Sequence, residues 1–209
     1  KGSQAVKFST AEKVALFRRL FRGRTDVYPI RWEGKTSGRA GYAPACANEW
    51  RPGVCEKPRI KCGDCGNRQL LPLTDEVVYR HLAGEWVVGI YPLLSDDSCY
   101  FLAVDFDEAE WRDDSKAFVQ SCHELNVPVA LEISRSGQGA HGWIFFERNV
   151  PAHDARRLGH ALDVQRTMIP GDFFVQVRGA DLVVVDHIAI TPGNGLETRM
   201  EMRRHLLRP

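Results

Sequence analysis

No stretch of the 209-residue chain approaches the roughly eighteen apolar residues that a membrane-spanning helix needs, so no span is expected. The opening KGSQAVKFS lacks the apolar core of a secretory signal, and a cytoplasmic protein is the expectation. Internal repeats and low-complexity tracts are missing too, which excludes solenoids and linker arrays. Net charge is nearly absent, at +1, but the balance hides an asymmetry. Residues 1–70 carry 15 Lys and Arg against 6 Asp and Glu, whereas residues 71–209 carry 13 against 21. A basic front half suits a polyanion and an acidic back half suits metal cations, although solvated faces of unequal sign would read the same way. With 44% hydrophobic residues, the chain can bury one sizeable core beside a small satellite module.

Cysteine is scarce and uneven. Of six, Cys46, Cys55, Cys62 and Cys65 fall within twenty residues, while Cys99 and Cys122 sit in apolar surroundings and read as small core side chains. Without an export signal, the cluster argues for metal rather than disulfides. Four thiolates, the last two in CGDCG, would close a tetrahedral Zn²⁺ site with no open position, hence a structural one. Zinc would then hold together residues 24–72, which are rich in Gly, Pro, Arg and Cys and show no sustained period. The plain alternative is four unrelated thiols; a redox pair at Cys62 and Cys65 lacks the surrounding βαβ unit. Arg51, Lys57, Arg59, Lys61 and Arg68, with Trp50, make the segment a candidate nucleic-acid contact.

Around this segment the pattern becomes regular. STAEKVALFRRLFRGR reads as a helix with Ser9 and Glu12 at capping-box spacing and Gly23 as its stop. LTDEVVYRHLAG reads as a second helix, with Thr74 as N-cap and Gly84 as terminator. EWVVGIYPLL and CYFLAVDFD read as two strands joined by the turn SDDS. DDSKAFVQSCHELNVP is an amphipathic helix, VALEI and HGWIFF are strands, and PAHDARRLGHAL is a helix opened by Pro151. DLVVVDHIAI is a late strand. The order predicts an α+β fold, a largely antiparallel sheet with helices on one face.

Two motifs carry chemistry. In FLAVDFD, Asp105 and Asp107 stand two residues apart and project from one face of the strand end. Carboxylates so close repel unless a cation lies between them, so Mg²⁺ or Mn²⁺ would be the occupant; surface carboxylates are the plain alternative. In ISRSGQGAHGWIFF, Gly137 and Gly139 allow successive backbone N–H groups to surround an anion, with Ser134, Arg135, Ser136 and Gln138 as further donors. His141, where the next strand begins, can donate to a phosphate oxygen. A flexible hairpin with a structural histidine is the alternative. Together, a phosphate loop beside a two-carboxylate metal site can hold a nucleoside triphosphate for in-line attack by a 3′-hydroxyl.

These segments resemble motifs one and two of the archaeo-eukaryotic primase superfamily, closest to the primase-like domain of TOTE conflict systems. ALFRRLFRGRTDVY, GYAPACANEW, KCGDC, LPLTDEVVYRHLAG, YPLL, DFD and SRSGQGAHGWIFFE are similar to family segments in family order, over roughly residues 11–168. The resemblance implies an RRM-like primase core over residues 73–209, preceded by a helix and a four-cysteine zinc-binding module over 1–72. It further implies template-directed nucleotidyl transfer on single-stranded or primer-template nucleic acid, a helicase or nuclease partner from the conflict system, and a prokaryotic or mobile-element setting. Asp105 and Asp107 match the metal-binding carboxylates, and His141 with the Ser136–Gly139 loop matches the triphosphate element. The family's third motif, another metal-binding aspartate, has no clear counterpart after Met168. Asp186 is the substitute by strand logic and Asp181 the runner-up.

Among the remaining residues, Trp32, Trp86 and Trp143 read as core rather than as base-stacking platforms, with Trp50 the exception to test. His123, His153 and His160 read as surface residues, while His187 has no assigned role. Two rivals to the polymerase reading are a non-catalytic nucleic-acid- or nucleotide-binding zinc module with a degenerate site, and a nuclease using the same carboxylates.

Overall fold

The structure is a computed structural model that describes residues 8–34, 38–134 and 137–164, with the short strands 183–184, 189–191 and 199–201. Helix α1 spans Thr10–Leu20 and opens on the expected capping box: the Ser9 hydroxyl accepts from the Glu12 N–H and the Glu12 carboxylate accepts from the Ser9 N–H. It ends at Leu20 without using Gly23. That glycine serves packing instead, since a Cβ there would lie 2.5 Å from the Tyr91 carbonyl oxygen. Helix α2 spans Asp75–Leu82, with the Thr74 hydroxyl accepting from the Val77 N–H, and Gly84 follows in the left-handed region at φ 76°.

Between these helices the Gly- and Pro-rich segment contains a hairpin that its composition does not signal. Strand β1 (Pro29–Glu33) pairs antiparallel with β2 (Ala40–Pro44). Trp32, expected in the core, is instead 45% exposed: its indole lies across the hairpin on Gly41, where a Cβ would approach within 2.9 Å.

EWVVGIYPLL forms a strand only at Gly89–Ile90 (β3), which pairs with Val183–Val184 rather than with its sequence neighbour. The turn after it is present, with Asp97 at φ 57° and the Ser98 N–H donating to the Asp96 carboxylate. Then follow β4 (Ser98–Phe106), α3 (Trp111–Glu124), β5 (Ala130–Ile133), β6 (Ala140–Pro151) and α4 (Ala152–Val164). Pro151 closes β6, so α4 starts one residue after it. Beyond α4 lie β7 (Val183–Val184), β8 (Ala189–Thr191) and β9 (Arg199–Glu201). Of DLVVVDHIAI, expected as one late strand, the described residues form β7 and β8, and β9 falls in a segment with no strand signal.

The main sheet has the order β4-β6-β5-β9-β8, antiparallel except where β5 meets β9. Helices cover both faces, not one. Phe101, Trp143 and Ala130 face Phe17 and Phe21 of the α1 end and Val77 and Val78 of α2. Their strand neighbours Leu102, Val104, Phe106 and Ile144 face Trp111, Phe118 and Cys122 of α3 and Leu162 of α4. The reason is in the strands: β4 reads SCYFLAVDF, apolar on both alternations, and a strand buried on both faces needs a layer on each. Phe21 anchors the first core, with its ring centroid 4.9 to 5.8 Å from those of Phe17, Phe101, Trp143 and Phe145. Cys99 and Cys122 are fully buried, and burial pushes the Cys122 thiol up to about 11. Among the described residues no helix is long and apolar enough to cross a membrane.

Candidate active site

Strand register, which sequence spacing cannot reveal, brings the two motifs together. β4 and β6 pair so that Asp105 stands directly opposite His141, and β5 and β6 pair so that Glu132 stands on the other side of the same histidine. Glu132, His141 and Asp105 therefore form one row across three strands. Residues directly opposite each other point to the same face, so their side chains meet. His141 Nε2 lies 3.4 Å from Asp105 Oδ1, and His141 Nδ1 lies 3.2 Å from Glu132 Oε1.

The loop reaches the acidic strand tip from the other direction. The Ser134 N–H donates to the Gly139 carbonyl at 2.9 Å and the Gly137 N–H donates to the Ser134 carbonyl at 2.9 Å. Gly137 takes φ 71°, the left-handed region that glycine enters without penalty. Gly139 is needed for proximity: a Cβ there would sit 2.8 Å from the Phe106 carbonyl oxygen and 3.6 Å from the Asp107 Cα. Gln138 is exposed at the loop's edge.

Asp105 is half-exposed and its pKa is raised. Burial is the main cause, opposed by His141 and reinforced by the charge of Asp107. The two carboxylates feel each other, as their spacing predicts. Arg135, Ser136, Asp181, Asp186 and His187 lie outside the described residues.

Glu132 was not singled out from sequence. It is 2% exposed, and its second oxygen accepts from the Trp143 indole N–H at 2.9 Å. The available signal was a lone carboxylate inside the apolar strand VALEI, on the same alternation as Ala130.

Cys46, Cys55, Cys62 and Cys65, all half-buried, border one small cavity of about 20 Å³ together with Lys57 and Asn67. The Gln69 N–H donates to the Cys46 sulfur at 3.3 Å, and Lys57 pairs with Glu49 at 2.6 Å. Burial opposes the charge on Lys57, but Glu49 and Cys62 outweigh it and raise its pKa. Yet among the described residues no three His, Cys, Asp or Glu side chains are grouped closely enough to hold a metal. The cysteines share a cavity without closing on a common point. Trp50 is 65% exposed beside them, and Trp143 is buried while Trp86 is half-buried. His123, His153 and His160 are exposed.

Comparison with curated proteins gives no match. Residues 12–173, most of the chain, match the model of the archaeo-eukaryotic primase domain of the TOTE conflict system, and the chain belongs to that family.

Proposed function

We propose that this domain is a metal-dependent primase-polymerase that joins nucleoside triphosphates to a 3′-hydroxyl on a nucleic-acid template. One observation carries the reading: His141 faces Asp105 across paired strands while Gly139 holds the preceding loop against Asp107. Membership of a primase family points to the same nucleotidyl-transfer class.

Asp105 and Asp107 are hard oxygen donors, and the pKa of Asp105 is raised chiefly by burial, with the charge of Asp107 adding to it. That donor set fits Mg²⁺ or Mn²⁺. Held by Asp105 and Asp107, such ions would offset phosphate charge and make the attacking hydroxyl more acidic. Asp186 is the proposed third carboxylate. The chain's own contribution to the triphosphate would come from the backbone N–H groups of Gln138 and Gly139, from Arg135, Ser136 and the Gln138 side chain, and from His141, as donors toward phosphate oxygens.

The four cysteines would hold a structural Zn²⁺, and the Gln69 N–H already directed at the Cys46 sulfur suits a thiolate. Arg51, Arg59, Lys61 and Arg68 with the exposed Trp50 would contact single-stranded or primer-template nucleic acid. A helicase or nuclease module of a conflict system would be the protein partner.

A non-catalytic nucleotide-binding module is the second reading, favoured because the family's third motif has no clear counterpart in the sequence after Met168. Primer extension with Mn²⁺ separates the two. Template-dependent products from the wild type, lost in the Asp105→Ala, Asp107→Ala double variant at unchanged melting temperature, are expected. Nucleic-acid retention without product would establish the second reading, and product from the double variant would refute the assignment of the carboxylates.

A further inference from the structure

Glu132 is the one buried carboxylate among the described residues. It is 2% exposed, and among the described residues no lysine or arginine pairs with it. Its direct partner across the sheet is His141, while Ala130 on the same strand and Trp143 in the next row make the rest of its setting largely apolar. What the carboxylate provides is two directed acceptors. Oε2 takes the Trp143 indole N–H at 2.9 Å, and Trp143 is itself locked at 1% exposure by Phe21 and Phe101. Oε1 is thereby left to face His141 Nδ1 at 3.2 Å.

The contact lies within hydrogen-bond distance, so it fixes the orientation of the ring at Nδ1. With Nδ1 held on β5, the opposite corner of the ring, Nε2, is directed at β4, where it lies 3.4 Å from Asp105 Oδ1. The indole of Trp143 lies 5.7 Å from the imidazole, centroid to centroid, and limits its tilt. Core packing is thus transmitted through Trp143 and Glu132 to the orientation of one imidazole.

We propose that Glu132 is the positioning residue of this site: anchored by the Trp143 indole, it holds the His141 ring so that Nε2 is presented to the incoming triphosphate beside Asp105. This rests on the primase-polymerase reading and adds to it a buried carboxylate that touches neither substrate nor metal. Carboxylates that orient a functional imidazole by its second nitrogen typically carry a roughly 10- to 100-fold effect.

The test is a double-mutant cycle in primer extension, with kcat and KM for the nucleoside triphosphate measured for wild type, Glu132→Gln, His141→Ala and the combined variant. Glu132→Gln keeps the shape and the acceptor for Trp143, but turns an amide toward Nδ1. Its kcat/KM is expected to fall about 10- to 100-fold. In the His141→Ala background the same change is expected to have no further effect, because its influence passes only through the imidazole. A Glu132→Gln loss that persists in that background makes the residue merely structural and overturns the proposal, as does wild-type kinetics in the single variant. No incorporation by the wild type overturns the primase-polymerase reading and this inference with it. Should Glu132→Gln fail to fold, Glu132→Asp, which keeps the carboxylate but shortens its reach to Nδ1, decides. A fall in kcat/KM that vanishes in the His141→Ala background is expected, and a fall that persists there, or none at all, overturns the proposal.

Discussion

Replacing Gly139 by alanine tests whether the loop and the acidic strand tip work as one site. The new Cβ would lie 2.8 Å from the Phe106 carbonyl oxygen, against the 3.4 Å at which ordinary contact begins. The two backbones must therefore part by about 0.6 Å, the difference between those distances. The carbonyl cannot turn aside, because Phe106 belongs to β4 and pairs with Ala140 of β6. Overpacking of this kind costs roughly 1–3 kcal/mol. In a chain of this length, each kcal/mol lowers the melting temperature by about 2–4 °C. A displacement of about 1 Å at reacting groups can cost on the order of a hundred-fold in rate, so half that shift predicts about ten-fold lower kcat/KM. Gly23→Ala is the control: its Cβ would lie 2.5 Å from the Tyr91 carbonyl oxygen, a closer backbone clash that involves neither Asp105 nor His141. We expect both variants to melt several degrees lower, and only Gly139→Ala to lose incorporation per folded molecule in primer extension with Mn²⁺. Equal losses in the two variants, or full activity in Gly139→Ala, would refute the reasoning.

Other perturbations follow from the same geometry. The Asp105 pKa is raised from its ordinary 3.8, chiefly by burial, so the fold binds that proton more tightly than the unfolded chain. Stability attributable to this group then falls as pH rises from about 3.8 through the folded value, and stays lower at neutrality. Asp105→Asn should accordingly melt higher than wild type at pH 7 in EDTA, and a lower melting temperature would contradict the assignment of cause. Phe21→Ala empties the centre of the aromatic cluster and should cost roughly 3–5 kcal/mol in urea unfolding; a loss below about 1 kcal/mol would show that Phe21 is not the anchor. Elemental analysis should find about one zinc per chain, lost in Cys62→Ser and in Cys65→Ser, whereas metal-free wild type would leave the cysteine cavity without its proposed role.

Local signals carried the helices, and non-local pairing defeated the strands. Ser9 with Glu12, and Thr74 with Val77, are contacts over three residues, so their meaning is written in adjacent sequence. The partner of Gly89–Ile90 is Val183–Val184, about ninety residues away, and nothing in EWVVGIYPLL announces it. The assumption that neighbouring strands pair, right more often than not, failed there. Helices on both faces were legible and missed, because FLAV in β4 and WIFF in β6 are apolar on both alternations. For the site, the residue types and glycine spacing named Asp105, Asp107, Gly139 and His141, but not their register. Glu132 escaped because a carboxylate in VALEI looks like an outward position unless the opposite strand supplies a histidine and an indole.

That register also explains why core and site are specified together. In one row across the sheet Ala103 and Ala130 flank Trp143, and in the next Asp105 and Glu132 flank His141. On all three strands the alternation changes from apolar to polar between those two rows. Because β6 runs antiparallel to both neighbours, only this alignment brings the three changes to the same level. A slip of one residue in β6 would turn His141 toward Phe118 and Phe106, where Gly142 now packs, and would bring Trp143 out of the Phe21 cluster. The aromatic cluster that makes such a slip costly therefore also keeps the imidazole between its two carboxylates. Weakening that cluster should lower site occupancy by triphosphate before it unfolds the domain.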